Sequence, residues 1–357
     1  VGSLLLLLGG VTGAQSGALS GFEAFRAISR INLIAGLLTF PLMLAGAWFA
    51  GVTGAIWAMV AVAGINAVLN WLALRTEARQ FNVPLSYAGC FSEWSIFWSF
   101  NVPGVINAIL YAFVGWAGMA LVVQNPEGYA DIGVYNAAMR IKQLPEVFVG
   151  MILAPILPVL SDAFARKDMA TCGKTLVFAY AICTLVIVPI SLLQTAAPML
   201  TLIPFGASYL GGEGVVPWLM LSAVAYALMW PMGLILISMG RIWLALLIGI
   251  LYATLYLGLS VWFIPLYGVT GFAAAGAIAF IVANLPCVYL LYVEFPALMR
   301  QTRWAAMAAV VLTLFGLSWL AFRGLSMSAA IVVGLGAAAF FALWRLNALI
   351  KSFQAAT

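Results

Sequence analysis

Three charged side chains fall within seven residues of a long apolar stretch: Arg140, Lys142 and Glu146. The surrounding segment, 129–161, reads YADIGVYNAAMRIKQLPEVFVGMILAPILPVLS and also carries Asp131, Asn136 and Gln143. At 1.5 Å per helical residue, Arg140 lies about 15 Å from the outer end of this segment and Glu146 about 25 Å. A charge in the middle of a membrane-spanning helix costs at least about 3 kcal/mol unless it is paired or faces water. The cluster therefore predicts a hydrated cavity. At 100° per residue Asn136, Arg140 and Gln143 share one face. Asp131, Tyr135, Lys142 and Glu146 share a second, and Lys142 and Glu146 stand at i,i+4, where they can pair. Arg140 stays charged and binds phosphate oxygens in pairs, so it suits an anionic ligand, phosphate above all. The plainer alternative is an internal Lys142–Glu146 ion pair, with Arg140 bonded to carbonyls of a neighbouring helix.

The elements that must position this cluster are membrane spans. The chain is 66% hydrophobic and 7% charged, with a mean hydropathy of +1.14, which excludes a soluble domain of this size. Eleven apolar segments are long enough to cross about 30 Å of hydrocarbon: 2–26, 29–50, 53–75, 97–123, 129–161, 172–195, 214–239, 241–265, 268–293, 302–322 and 326–347. They are continuously apolar, so they predict helices and not the alternating strands of a barrel. Alternating the connections puts Arg26, Arg30, Arg75, Arg79, Arg166, Lys167, Lys174, Arg241, Arg300, Arg303, Arg345 and Lys351 on one side and Arg323 alone on the other. That bias makes the first side cytoplasmic and the C-terminus cytoplasmic.

Other chemistry finds little support. There is no histidine, so proton coupling would run through carboxylates. Cys90, Cys172, Cys183 and Cys287 are far apart and form neither a metal motif nor a disulfide framework. No dense basic run interleaved with aromatics points to nucleic acid. No phosphate-binding loop, no nucleophile–base set and no metal ligand cluster is visible, so neither an enzyme nor a metal site is expected.

The sequence also carries a short internal repeat: GVTGA at 51–55 and GVTGF at 268–272, offset by 217 residues. Each block sits in a short outer connection between two spans. Six spans separate the two blocks, an even number, which implies a parallel repeat. The second half starts near residue 97, so the same offset places the start of the first half about 120 residues ahead of residue 1. The expected fold is all-α and polytopic: two six-helix bundles plus two C-terminal helices, with the first three helices absent from this chain. The expected domains are 1–75, the last three helices of the first bundle; 76–96, a cytoplasmic amphipathic linker; 97–295, the second bundle; and 296–357, two further helices and a cytoplasmic tail.

The stretch GYADIGVYNAAMRIKQLPEVFVGMILAPILPVLSDAFARKD, 128–168, resembles the most recognisable segment of Wzx-like polysaccharide flippases. These belong to the multidrug/oligosaccharidyl-lipid/polysaccharide exporter superfamily. The pattern is Gly133, Tyr135, Ala137 and Arg140, then Pro155, Pro158 and Ser161 before a charged loop. QSGALSGFEAFRAISRINLIAG, 15–36, and GVTGA, 51–55, resemble the corresponding part of the first bundle. The resemblance implies two bundles facing a central cavity. It implies a bacterial inner-membrane protein that flips a polyprenyl-diphosphate-linked oligosaccharide for O-antigen or exopolysaccharide export by alternating access. Arg140 and Lys142, with Asn136 and Gln143, would then bind the substrate. Glu146, Asp131 or Glu23 would bind a coupling ion, Na+ or H+. Membrane lipids, a polysaccharide polymerase and glycosyltransferases are the implied partners. Two other readings compete. An organic-cation antiporter of the same superfamily would need a net acidic cavity. A membrane-embedded glycosyltransferase or polymerase would need a large loop carrying catalytic acids.

Overall fold

A computed structural model describes residues 2–83, 94–125 and 127–354, and every regular element among them is helical. In chain order these are α1 (Gly2–Gly21), α2 (Phe25–Gln80), α3 (Trp94–Ile96), α4 (Val102–Val123), α5 (Gly128–Leu153), α6 (Ile156–Ala165), α7 (Met169–Ala196), α8 (Met199–Leu202), α9 (Val215–Ser238), α10 (Ile242–Glu294), α11 (Pro296–Thr302), α12 (Trp304–Gly324) and α13 (Met327–Gln354). A π-helical stretch, Phe97–Asn101, leads into α4. The chain divides into two compact units, 1–92 and 93–357.

Eight helices are long and apolar enough to cross a membrane. The pair α5 and α6, bent by 46°, makes a ninth candidate. Two of these nine are hairpins. In α2 the helix breaks at Ala50 (φ −142°, ψ 23°) and Gly51 (φ 58°, ψ −142°). In a straight helix residues eight apart lie about 12 Å from each other, yet a Cβ on Gly54 would collide with the carbonyl of Gly46. The chain has therefore reversed. In α10 the break is at Gly268 (φ 56°, ψ −139°), and a Cβ on Gly271 would collide with the carbonyl of Phe263. Each hairpin has two arms of that length, so the described residues hold eleven segments long enough to cross, as the hydropathy pattern predicts. Only glycine adopts the positive-φ angles of Gly51 and Gly268 without strain.

The repeat is deeper in the backbone than in the sequence. At the same 217-residue offset, Glu23 (φ 57°) and Gly240 (φ 71°) both take the left-handed conformation that ends a helix. Ala24 N–H donates to Leu19 O at 3.0 Å and Arg241 N–H to Leu236 O at 2.9 Å, the same capping bond. Ala24 (φ −77°, ψ 45°) and Arg241 (φ −85°, ψ 50°) then open α2 and α10 alike. Thus α1 with α2 repeats α9 with α10.

The first unit has a small core of Leu19, Ile31 and Leu74, and Phe22 stacks on Phe81 with centroids 5.4 Å apart. The second unit is built around α7 and α9, its most buried spans. α9 packs on α7 and α10, α10 on α4, and α13 on α7. At the start of α7 the Asp168 carboxylate accepts from the Thr171 hydroxyl at 2.6 Å and its N–H at 3.0 Å. These bonds hold its carboxyl below the usual carboxylate range.

Several expectations shift. The segment 129–161 is not one straight helix; it breaks between Leu153 and Ile156, where Pro155 cannot donate its own N–H. Residues 76–80, expected as linker, are the last turn of α2, while 84–93, including Cys90 and Glu93, lie outside the described residues. Arg345, inside the last apolar segment, is only 5% exposed within α13 and so is packed among neighbours where solvent contact was expected.

Candidate functional site

Four helices of the second unit enclose a cavity of about 400 Å³. α5 supplies its polar side: Asn136, Arg140, Lys142, Gln143 and Glu146 all line it. α4, α9 and α10 supply a wall rich in aromatic rings, including Tyr111, Tyr226, Tyr252, Tyr256, Phe272 and Phe280. Such a volume lies within the usual range for small-molecule sites, about 300–1,000 Å³.

The two faces of α5 divide as the helical wheel predicts. Lys142 Nζ and Glu146 Oε1 form an ion pair at 2.9 Å, with side chains only 12% and 15% exposed. Pro145 lies between the two partners without parting them, because its missing N–H affects the bond to Ile141 and not the i,i+4 side-chain spacing. Arg140 is different. It lies on the face with Asn136 and Gln143, all three exposed, and has no ion-pair or hydrogen-bond partner among the described residues. Among the described residues no neighbouring helix offers it a carbonyl. The alternative reading of the sequence thus describes Lys142 and Glu146, not Arg140.

The remaining candidates disperse. Asp131 is in the first turn of α5, with Oδ2 3.7 Å from where a Cβ on Gly268 would stand. It faces the turn of the α10 hairpin and does not line the cavity. Glu23 belongs to the first unit, where it sits in the turn between α1 and α2 and not on the helix expected for 2–26. Asn66 and Asn70 bond to one another along α2. The Asn107 side-chain oxygen is buried against Gly249 without a hydrogen-bond partner. Among the described residues no group of three side chains could hold a metal ion. Cys172, Cys183 and Cys287 are buried and unbridged.

The aromatic wall is what reading by charge misses. Tyr256 stacks on Phe272 with centroids 5.1 Å apart, and Tyr111 stacks on Tyr252 at 5.2 Å. Tyr135 leans on Phe272 at 4.9 Å, and its hydroxyl meets that of Tyr256 at 3.5 Å. A Cβ on Gly276 would press on the Tyr256 ring at 3.2 Å, so glycine there lets the ring lie flat. Tyr252 and Tyr256 stand at i,i+4 on one arm, a spacing that could have marked a shared face.

No family model matches the chain, and no curated protein does. A solved structure does. It is titled "Lipid II flippase MurJ, inward closed conformation". The match has a TM-score of 0.51 at 14% identity, over 88% of this chain and 67% of that one. At that identity the likeness is one of fold: this chain has a MurJ-like, all-helical, polytopic membrane fold.

Proposed function

We propose that this protein is a transporter that flips a polyprenyl-diphosphate-linked oligosaccharide across the bacterial inner membrane by alternating access, in polysaccharide export. The observation that carries this reading is an unpaired Arg140 beside Lys142 in a cavity walled by membrane helices. Such a cation is costly in a span unless a ligand or water meets it. A diphosphate meets it best, because guanidinium and phosphate bond in pairs. Asn136 and Gln143, on the Arg140 face, add amide donors for the remaining oxygens. The MurJ-like fold supports the reading, since that neighbour is a flippase for a lipid by its title. A Na+ or H+ gradient drives the cycle, with Glu146 the carboxylate placed to sense the site and Asp131 and Glu23 further candidates. Membrane lipids, a polymerase and glycosyltransferases are the proposed partners.

An organic-cation antiporter is the competing reading. Two cations and one carboxylate line the cavity, which is the wrong sign for a cationic drug.

The test is flipping of a polyprenyl-diphosphate oligosaccharide in liposomes, comparing the protein with an Arg140→Ala variant that still reaches the membrane. Hydrogen bonds to charged groups contribute about 1.5–3 kcal/mol, so the variant should bind about 10- to 100-fold more weakly. Undiminished flipping would remove Arg140 from the site. Efflux of organic cations in place of flipping would favour the antiporter.

A further inference from the structure

The charges of the cavity do not match those of the proposed ligand. Arg140 and Lys142 bring two positive charges and Glu146 one negative charge, so the empty site is +1. A diphosphate that links a lipid to a sugar is a diester. It carries two negative charges near neutrality and has no proton of its own to give or take. Binding it beside an ionised Glu146 would leave one negative charge uncompensated between membrane helices.

The other groups around the site offer no remedy. Tyr135 of α5 itself, Tyr111 of α4, Tyr226 of α9 and Tyr252 and Tyr256 of α10 face the cavity, and Tyr209 of the short 207–212 helix packs on α5 outside it; phenols are neutral near pH 7. α7 packs on α5 but places no residue in the cavity wall; its titratable side chains are Cys172, Lys174, Tyr180 and Cys183. α6 ends in Asp162 paired with Arg166 at 2.9 Å, exposed and outside the cavity. Glu146 is the one carboxylate of the described cavity wall.

We infer that Glu146 is a resident counter-ion, displaced from Lys142 by the incoming diphosphate and protonated as it leaves. Lys142 keeps its own proton and turns its ammonium donors to a phosphate oxygen. The Glu146 carboxylate takes one proton from the aqueous phase that wets the cavity and becomes a neutral acid. The loaded site then carries two positive and two negative charges. The one Lys142–Glu146 contact thereby couples cargo to proton uptake and sets a charge requirement. A lipid monophosphate sugar, with one negative charge, is already balanced by the +1 site and needs no proton. This inference rests on the proposed diphosphate cargo.

The experiment is isothermal titration of the purified chain in detergent, in buffers of different ionisation enthalpy. The two probes are farnesyl-diphospho-glucose and farnesyl-phospho-glucose. The expected result is close to one proton taken up per diphosphate probe bound, and close to none for the monophosphate. Diphosphate affinity should fall as pH rises, by up to about tenfold per pH unit, as required when binding takes up one proton. The Glu146→Gln variant should bind the diphosphate probe with neither proton uptake nor this pH dependence. Saturable diphosphate binding by the unaltered protein without proton uptake overturns the inference and leaves the proposed cargo standing. Uptake that persists in Glu146→Gln assigns the proton to another group and overturns it too. Failure of both probes to bind removes the cargo reading itself. The comparison of the two probes needs no variant, so it decides the matter even if Glu146→Gln does not fold.

Discussion

The hairpins α2 and α10 have the same backbone and opposite surroundings. Gly51 and Gly268 turn with φ and ψ within about 3° of each other, and the helices ahead of both hairpins end in the same capping bond. The side chains diverge. At the 217-residue offset, Tyr252, Tyr256, Phe272 and Phe280 of α10 correspond to Ala35, Thr39, Ala55 and Ala63 of α2. These four rings of the cavity wall therefore belong to one hairpin only. Where Tyr256 projects a ring, Thr39 turns its hydroxyl back to the Ala35 carbonyl at 2.6 Å. At the open end of the hairpin, Arg241 pairs with Glu294 at 2.7 Å. Its counterpart in α2 keeps the acid, Glu77, but has Ala24 in place of the arginine. The backbone turn is the shared scaffold, and what each copy does is written in side chains that change independently of it.

The sharpest way to break this comparison is to exchange side chains. Tyr256→Thr gives α10 the residue of α2, emptying space beside Phe272 and removing the partner of the Tyr135 hydroxyl. Loss of a buried aromatic ring costs about 3 kcal/mol or more, read as a fall in thermal midpoint in detergent. Thr39→Tyr, at a half-buried site, should change stability by less than about 1 kcal/mol. Equal effects would mean that the two hairpins are equivalent after all.

The next test concerns the turns. Gly51→Ala and Gly268→Ala each force an L-residue into a conformation that costs about 1–3 kcal/mol. If the turns are copies, both variants should lose stability by that amount, within about 0.5 kcal/mol of each other. An unchanged midpoint for either would show that its turn relaxes to another conformation. The smallest effect should come from completing the missing ion pair. Ala24→Arg would let the first hairpin close on Glu77 as the second closes on Glu294. Exposed pairs contribute about 0–1 kcal/mol, so a rise in midpoint that vanishes in high salt is expected.

Hydropathy marked the same eleven segments that the described residues fold into apolar helices and hairpin arms, since that signal depends only on local composition. Two of the pauses between these segments proved to be tight reversals of only one or two non-helical residues, Ala50 and Gly51 in α2 and Gly268 in α10. The polar face of α5 was legible because a helical wheel needs only spacing, and Arg140, Lys142, Asn136, Gln143 and Glu146 all reached the cavity. Asp131 shares a wheel face with Lys142 but lies in the first turn of α5, a difference of position along the axis that angle alone does not register. Glu23 left its expected helix because the chain takes a left-handed turn there. The aromatic wall stayed hidden because its rings come from α4, α9 and both arms of α10, and no sequence window contains them all. The depth of the repeat stayed hidden because it is carried by dihedral angles and by little beyond one shared tetrapeptide.

The α10 hairpin is pinned at both ends, by the Gly268 turn where its arms touch backbone to backbone and by the Arg241–Glu294 pair at the other. Tyr252 and Tyr256 ride on one arm, and Phe272, Gly276 and Phe280 on the other. Mechanically the arms are one part. The rings of the two arms therefore keep one spacing, Tyr256 on Phe272 and Tyr252 against Phe280, because neither arm can shift without the other.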